Sequence, residues 1–259
     1  MKFPLPRIIA ITNQKGGSAK TTTSVNLSAA LAQTDKKVLL VDLDPQANAT
    51  IGIGISSTDL EKSVYHILIE ADTEIESVMR PTMVDNLSIV PATIHVSGAE
   101  VELVNTIGRE IVLQDKLKKI QNKFDYIIVD CPPSLGLLTL NALTSAREVI
   151  IPVQTHFYAL EGMSLLMNTI ELVKRRLNHK LIITGILPTI YQSGTKLSEQ
   201  VLEELRKFFG KQVFTTIIRM NVRLAEAPGH GMPITLYDSD SNGAQDYLDL
   251  AREVISYEI

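Results

Sequence analysis

The chain has 259 residues, 45% of them hydrophobic, and a formal net charge of −4. That is enough apolar content for a full core, and the mild acidity announces no polyanionic partner. A single cysteine, Cys131, excludes a disulfide framework and any site needing several thiolates from one chain. No apolar stretch of 18 residues occurs, and residues 1–6 are too short and interrupted for a signal peptide, so a cytoplasmic location is expected.

The first predicted strand, Arg7-Ile8-Ile9-Ala10-Ile11-Thr12, is short and rich in β-branched residues. It runs into Asn13-Gln14-Lys15-Gly16-Gly17-Ser18-Ala19-Lys20-Thr21-Thr22, after which Val25, Ala29 and Ala32 recur at helical spacing. Strand, glycine-containing loop and helix start form the context in which backbone N–H groups and a helix N-terminus hold phosphates. Gly16, Gly17, Ser18, Ala19 and Thr22 would then surround a nucleotide; Lys20 would reach its β- and γ-phosphates, and Thr21 would ligate Mg²⁺. The plain pattern G-x-x-x-x-G-K-[ST] fails, because Gln14 and Ala19 stand at its glycine positions. What matches is K-G-G-x-x-K-[ST]-[ST], with an extra lysine, Lys15. Ala19 is expected in negative-φ, helix-like backbone, with the helix starting at or next to it, since a left-handed conformation strains any residue with a Cβ. A positive φ there, or a collapsed loop, would argue against ATP binding.

Residues 37–42 read as the second strand, followed by Leu43-Asp44-Pro45-Gln46. Acidic residues at the carboxyl end of a parallel strand are placed to meet a ligand, although Asp42 could equally cap a helix and Asp44-Pro45 form a turn. Residues 58–70 are predicted helical, 86–91 a strand, and 97–104 and 109–121 helical again. Phe124-Asp125-Tyr126-Ile127-Ile128-Val129-Asp130 is the strongest strand, and its terminal Asp130 is suited to bind Mg²⁺ beside Thr21. Cys131 reads as a small apolar filler at that strand end. Then come a strand at 149–153, a helix over 159–177, a strand at 180–190, a helix at 196–209, a strand-like 214–218 and a closing amphipathic helix at 243–255. Strands alternating with helices over residues 1–259, without linker or repeat, predict one α/β domain on a doubly wound, mainly parallel sheet.

Charge is unevenly spread. From Glu171 to Arg223 ten lysines and arginines face four acids, a local +6 that leaves −10 for the rest. Such a segment is either a phosphate-backbone surface or the solvated outside of two helices.

The deviant loop, Asp-x-Asp-Pro-Gln at residues 42–46, the switch-like Cys131-Pro132-Pro133-Ser134-Leu135-Gly136, and residues 152–162 and 221–237 resemble the ParA/MinD family, in particular its ParA-type partition ATPases. The resemblance implies a deviant P-loop α/β domain that binds and hydrolyses ATP with Mg²⁺ and forms a nucleotide-sandwich homodimer. In it the lysine matching Lys15 reaches the partner's phosphates, and Asp44 orients the attacking water and supports the metal shell. It implies sequence-independent binding to nucleoid DNA, release by a ParB-like activator, and no membrane partner. Lys196, Arg219 and Arg223 are the DNA-contact candidates. Gly194 stands where relatives carry a DNA-binding arginine, His156 where an acidic residue is common, and Ala19 where glycine is usual. With no DNA-binding domain expected before the loop, operator-specific repression is not expected. Three other readings compete: a ParA-like protein positioning carboxysomes or chemotaxis arrays, a membrane-cycling MinD-like ATPase, and an iron–sulfur relative. The last is opposed by the single cysteine, and the membrane reading by the acidic residues 243–259.

Overall fold

The computed structural model describes residues 5–157 and 162–257. Most of residues 1–6 and the predicted helix start at 159 lie outside them. Chain order runs β1 (Arg7–Ile11), α1 (Lys20–Ala32), β2 (Val38–Asp42), α2 (Asn48–Gly52), α3 (Val64–Ile69), α4 (Ile75–Val78), β3 (Arg80–Pro81) and β4 (Leu87–Val90). It continues with α5 (Val96–Glu102), α6 (Val112–Ile120), β5 (Tyr126–Asp130), α7 (Leu137–Ser145), β6 (Glu148–Gln154), α8 (Met163–Arg176) and β7 (Ile182–Thr189). The last helices are α9 (Lys196–Phe209), α10 (Val222–Glu226), α11 (Ile234–Tyr237) and α12 (Asn242–Ser256).

The strands form one sheet in the order β3-β4-β2-β5-β1-β6-β7, parallel except for β3. Both faces are covered, which is why the strands read as continuous apolar runs. Their alternation sorts the core: Ile9, Ile11, Leu40, Ile128 and Ile150 pack with Leu27 of α1 and Tyr247 and Leu250 of α12. Ala10, Leu39, Val41, Val129 and Ile151 pack with Leu117 of α6, Leu138 of α7 and Leu166 of α8. β1 lies between β5 and β6, so connections leave it in opposite directions across the sheet. Ligands of open α/β sheets bind at the carboxyl ends of strands beside such a switch point.

Four expectations change. The predicted helix at 58–70 shortens to α3, because the Ser63 side chain caps it and the Ser63 N–H donates to His66 Nδ1 at 3.1 Å, forming a capping box. The helix expected from 109 begins at Val112, after the left-handed turn at Gly108. Residues 214–218 are not a strand: the Glu253 carboxylate of α12 takes the amides of Thr215 and Thr216, both at 2.8 Å, leaving only isolated bridges at Val213 and Arg219. The two-residue β3 escaped notice because Pro81 removes a ladder donor. α9 starts and ends where expected, with the Thr195 hydroxyl accepting from Ser198 N–H as its N-cap. The apolar side of α12 (Tyr247, Leu250, Ala251 and Val254) is fully buried, and no helix among the described residues is long and apolar enough to cross a membrane.

Candidate active site

The loop between β1 and α1 is pinned from both sides. Asn13 Nδ2 donates to Pro152 O at 2.7 Å, its Oδ1 accepts the Lys15 amide at 3.0 Å, and the Thr189 hydroxyl donates to Ser18 O at 3.1 Å. Residues 16–22 thereby wall a cavity of 320 Å³, closed on the other side by Asp44, Gln46, Asn48 and Pro133. The loop is open, and α1 begins at Lys20 as expected.

Ala19 is not helix-like. Its φ of 66° and ψ of 31° are left-handed, as is Gly17 at φ 72°. The chain turns from loop to helix through the conformation that glycine adopts without cost, so alanine there carries about 1–2 kcal/mol of strain. The strain does not shut the loop, so the inference that a positive φ argues against a phosphate site falls with the expectation. Ala47 and Ile190, at φ 53° and 54°, are also left-handed and sit next to the site. Strained non-glycine residues cluster where surrounding structure overrides local preference. Ala19→Gly is expected to raise stability by about 0.5–1 kcal/mol, the relieved strain being partly offset by glycine's unfolded-state entropy. A denaturant midpoint checks the sign; a helix-like Ala19 would give a loss.

The expected metal residues converge. Asp42 and Asp130 are register partners on β2 and β5, both fully buried. Asp130 accepts from Thr21 Oγ1 at 2.9 Å and from Ser24 Oγ at 2.7 Å. Asp42 accepts from the Thr50 amide at 2.8 Å, the Thr50 hydroxyl at 2.7 Å and the Asp44 amide at 3.1 Å. Burial raises the pKa of both carboxyls, and each is raised further by a neighbouring carboxylate. Asp42 is satisfied by its three donors and anchors the loop that carries Asp44. Asp130 has only two hydroxyls against a raised pKa, so it lacks a cation. Burial lowers the Lys20 pKa, against the pull of Asp130 and Asp44, and its Nζ donates to Lys15 O at 3.1 Å. Asp44 lines the cavity while its Oδ1 accepts the Gln46 amide at 2.9 Å. A hard dication bridged to phosphate oxygens suits this donor set: a hydroxyl, two carboxylates and a cationic neighbour.

Sequence reading missed three contributors. Ser24 lies one turn past Lys20 on α1, a helical spacing that was available as a signal. Asp42 was weighed only as a cap. Beside the phosphate cavity, sharing Ala19 and Thr22 with it, lies an apolar pocket of 300 Å³ lined by Ile190, Ile218, Met220, Val222 and Leu224 among others. No local pattern marks it, because its walls come from the ends of β7, α10 and α12.

The DNA candidates fare differently. Lys196 is exposed at the start of α9. Arg219 makes a bidentate pair with Asp246, at 2.6 Å from Nη2 and 3.0–3.1 Å from Nε. Arg223 pairs with Glu226 at 2.8 Å and Asp238 at 3.3 Å. The local count of +6 omitted these acids because they follow residue 223. Gly194 is left-handed at φ 79°, with open space around it.

Fold and site together define a P-loop nucleoside triphosphatase with a deviant loop. The chain belongs to the ParA/Soj family of partition ATPases. A family model described as "AAA domain" matches residues 6–183. The sporulation initiation inhibitor protein Soj of Bacillus subtilis is 56% identical over 96% of this chain and 98% of its own. The chromosome partitioning protein ParA of Myxococcus xanthus is 51% identical over 96% of this chain and 88% of its own. Among solved structures, a cobyrinic acid a,c-diamide synthase of Mycobacterium smegmatis with bound ADP and magnesium superposes with a TM-score of 0.86 at 36% identity, covering 97% of this chain and 94% of that one.

Proposed function

We propose that this chain binds Mg²⁺·ATP at the loop of residues 15–22, dimerises around it and hydrolyses it, cycling on and off DNA to move a chromosome or plasmid. The observation that carries the reading is Asp130, buried and short of a cation, beside Thr21 and Lys20 at the mouth of an open loop. The relatives' names and the ligands of their structures support it.

In this reading the loop amides and the α1 N-terminus hold the phosphates, Lys20 contacts the β- and γ-phosphates, and the apolar pocket between Ile190 and Leu224 takes the base. Mg²⁺ held by Thr21 and Asp130, with Asp44 close by, would neutralise charge on the transferring phosphoryl group. Asp44 positions the attacking water. Lys15 acts on the nucleotide of the partner subunit, adding positive charge where negative charge develops. A ParB-like activator completes the cycle. Positioning a protein cargo instead of DNA would use the same chemistry, and the genes flanking this one would decide between the two.

DNA retention in the ATP state is expected to ignore sequence and to weaken steeply with salt. Lys196 and Arg223, doubled by dimerisation, are the contacts proposed at the nucleotide end; Arg219 is tied to Asp246. Arg223→Ala is expected to lose most ATP-dependent retention of a fluorescent duplex while ATP-driven dimerisation survives. Gly194→Arg is expected to strengthen retention, at the cost of placing a Cβ in left-handed backbone. An Arg223→Ala protein that retains DNA like wild type would move the contact elsewhere.

A further inference from the structure

The basic side chains between residues 171 and 223 divide between the two ends of the sheet. Lys196, Arg219 and Arg223 sit at the nucleotide end, where Asp246, Glu226 and Asp238 offset much of their charge. The others lie far away. α8 leaves the nucleotide end at Gly162, where an added Cβ would lie 3.7 Å from Gln14, and runs to Arg176. α9 runs the same way from Lys196 to Phe209. β7 returns from Ile182 to Thr189, a rise of about 23 Å at about 3.3 Å per residue.

At the far end these segments meet. Lys174 of α8, Ile182 and Ile183 of β7, and Gln212 line one groove of 450 Å³. Next to it, through Lys180 and Leu181, is a cavity of 190 Å³ whose wall includes Lys118, Arg147 and Lys180. Lys174, Arg176, Lys180, Arg206, Lys207 and Lys211 are all exposed, and none pairs with a carboxylate among the described residues. Of this group only their neighbour Arg175 does, with Glu171 at 3.3 Å.

We propose that this end of the sheet is a second surface for the phosphate backbone of duplex DNA, one that works without nucleotide. Long cationic side chains without local partners suit phosphates, which reward charge and demand little fixed geometry. An anionic membrane fits less well: α9 buries Val201, Leu202 and Leu205 in the core and has no apolar face to insert. The inference rests on the DNA reading above and adds to it. In a dimer joined at the nucleotide ends, these surfaces occupy the two outer poles, so one dimer can hold two separate duplexes.

The test is a salt titration of a short fluorescent duplex, from about 50 to about 200 mM, on nucleotide-free wild type, Arg223→Ala and the triple variant Lys180→Gln/Arg206→Gln/Lys211→Gln. Wild type and Arg223→Ala are expected to bind alike at low salt. The triple variant, folded by circular dichroism and with unchanged ATP hydrolysis, is expected to bind at least about tenfold more weakly. Its slope of log affinity against log salt should be shallower by about 3. A triple variant equal to wild type, no nucleotide-free binding at about 50 mM, or preferential binding to anionic vesicles would overturn the inference. Binding by wild type only with ATP would overturn it and leave the DNA reading standing; no binding in either state would remove both.

Discussion

Asp130→Asn is expected to stabilise the nucleotide-free protein while cutting Mg²⁺-dependent ATP hydrolysis by about 10³-fold, or about 4 kcal/mol of barrier. The carboxylate is fully buried, faces Asp42 across the strand register and receives only two hydroxyls. Burial, reinforced by Asp42, raises its pKa in the folded state. A raised acid pKa means that the folded chain binds the proton better than the unfolded one. Stability in EDTA therefore falls as pH rises from the ordinary carboxylate range toward the raised value, then levels off. Asparagine keeps an acceptor for one hydroxyl and offers a donor to the other, without the buried charge. Its melting temperature should exceed that of wild type above neutral pH and lose that part of the pH dependence. Wild-type hydrolysis rates or lower stability would show that Asp130 holds no metal.

Lys15→Ala and Asp44→Ala are expected to fail in opposite ways. Lys15 sits half-buried in the loop wall, and its carbonyl, which alanine retains, receives Lys20 Nζ. Removing the ammonium should leave most ATP affinity in place, abolish the ATP dimer and lower hydrolysis by about 10³-fold or more, the scale of a residue supplied in trans. Asp44 lines the phosphate cavity and is 7% exposed. Its removal should spare the clamp and leave an ATP-bound dimer that does not turn over. Size-exclusion chromatography with ATP separates the two outcomes. Identical behaviour of both variants as dimers would defeat the trans role of Lys15.

The parts of the site that lie close together in sequence were legible before the structure. Lys15 to Thr22 is one loop, and Asp130 ends the most apolar strand, so pattern and chemistry agreed at each. α9 was also legible, because its cap, periodicity and terminal Gly210 point the same way. Features fixed by distant partners were not. Residues 214–218 look like a strand until Glu253 of α12 claims their amides. The basic segment looks uniform until Asp246, Glu226 and Asp238 reach two of its arginines. Ala19 was misread for the opposite reason. Local steric preference was applied to a residue whose neighbours Asn13, Ser18 and Lys20 are fixed from elsewhere in the fold.

The most direct test of the account is calorimetric titration of ATP into the wild-type chain with Mg²⁺ and, separately, with EDTA, repeated on Asp130→Asn. The account predicts strong binding with Mg²⁺, marked weakening in EDTA, and no Mg²⁺ effect in the variant. Equal binding of ATP by wild type in Mg²⁺ and EDTA, or an unaltered Mg²⁺ effect in Asp130→Asn, would contradict it.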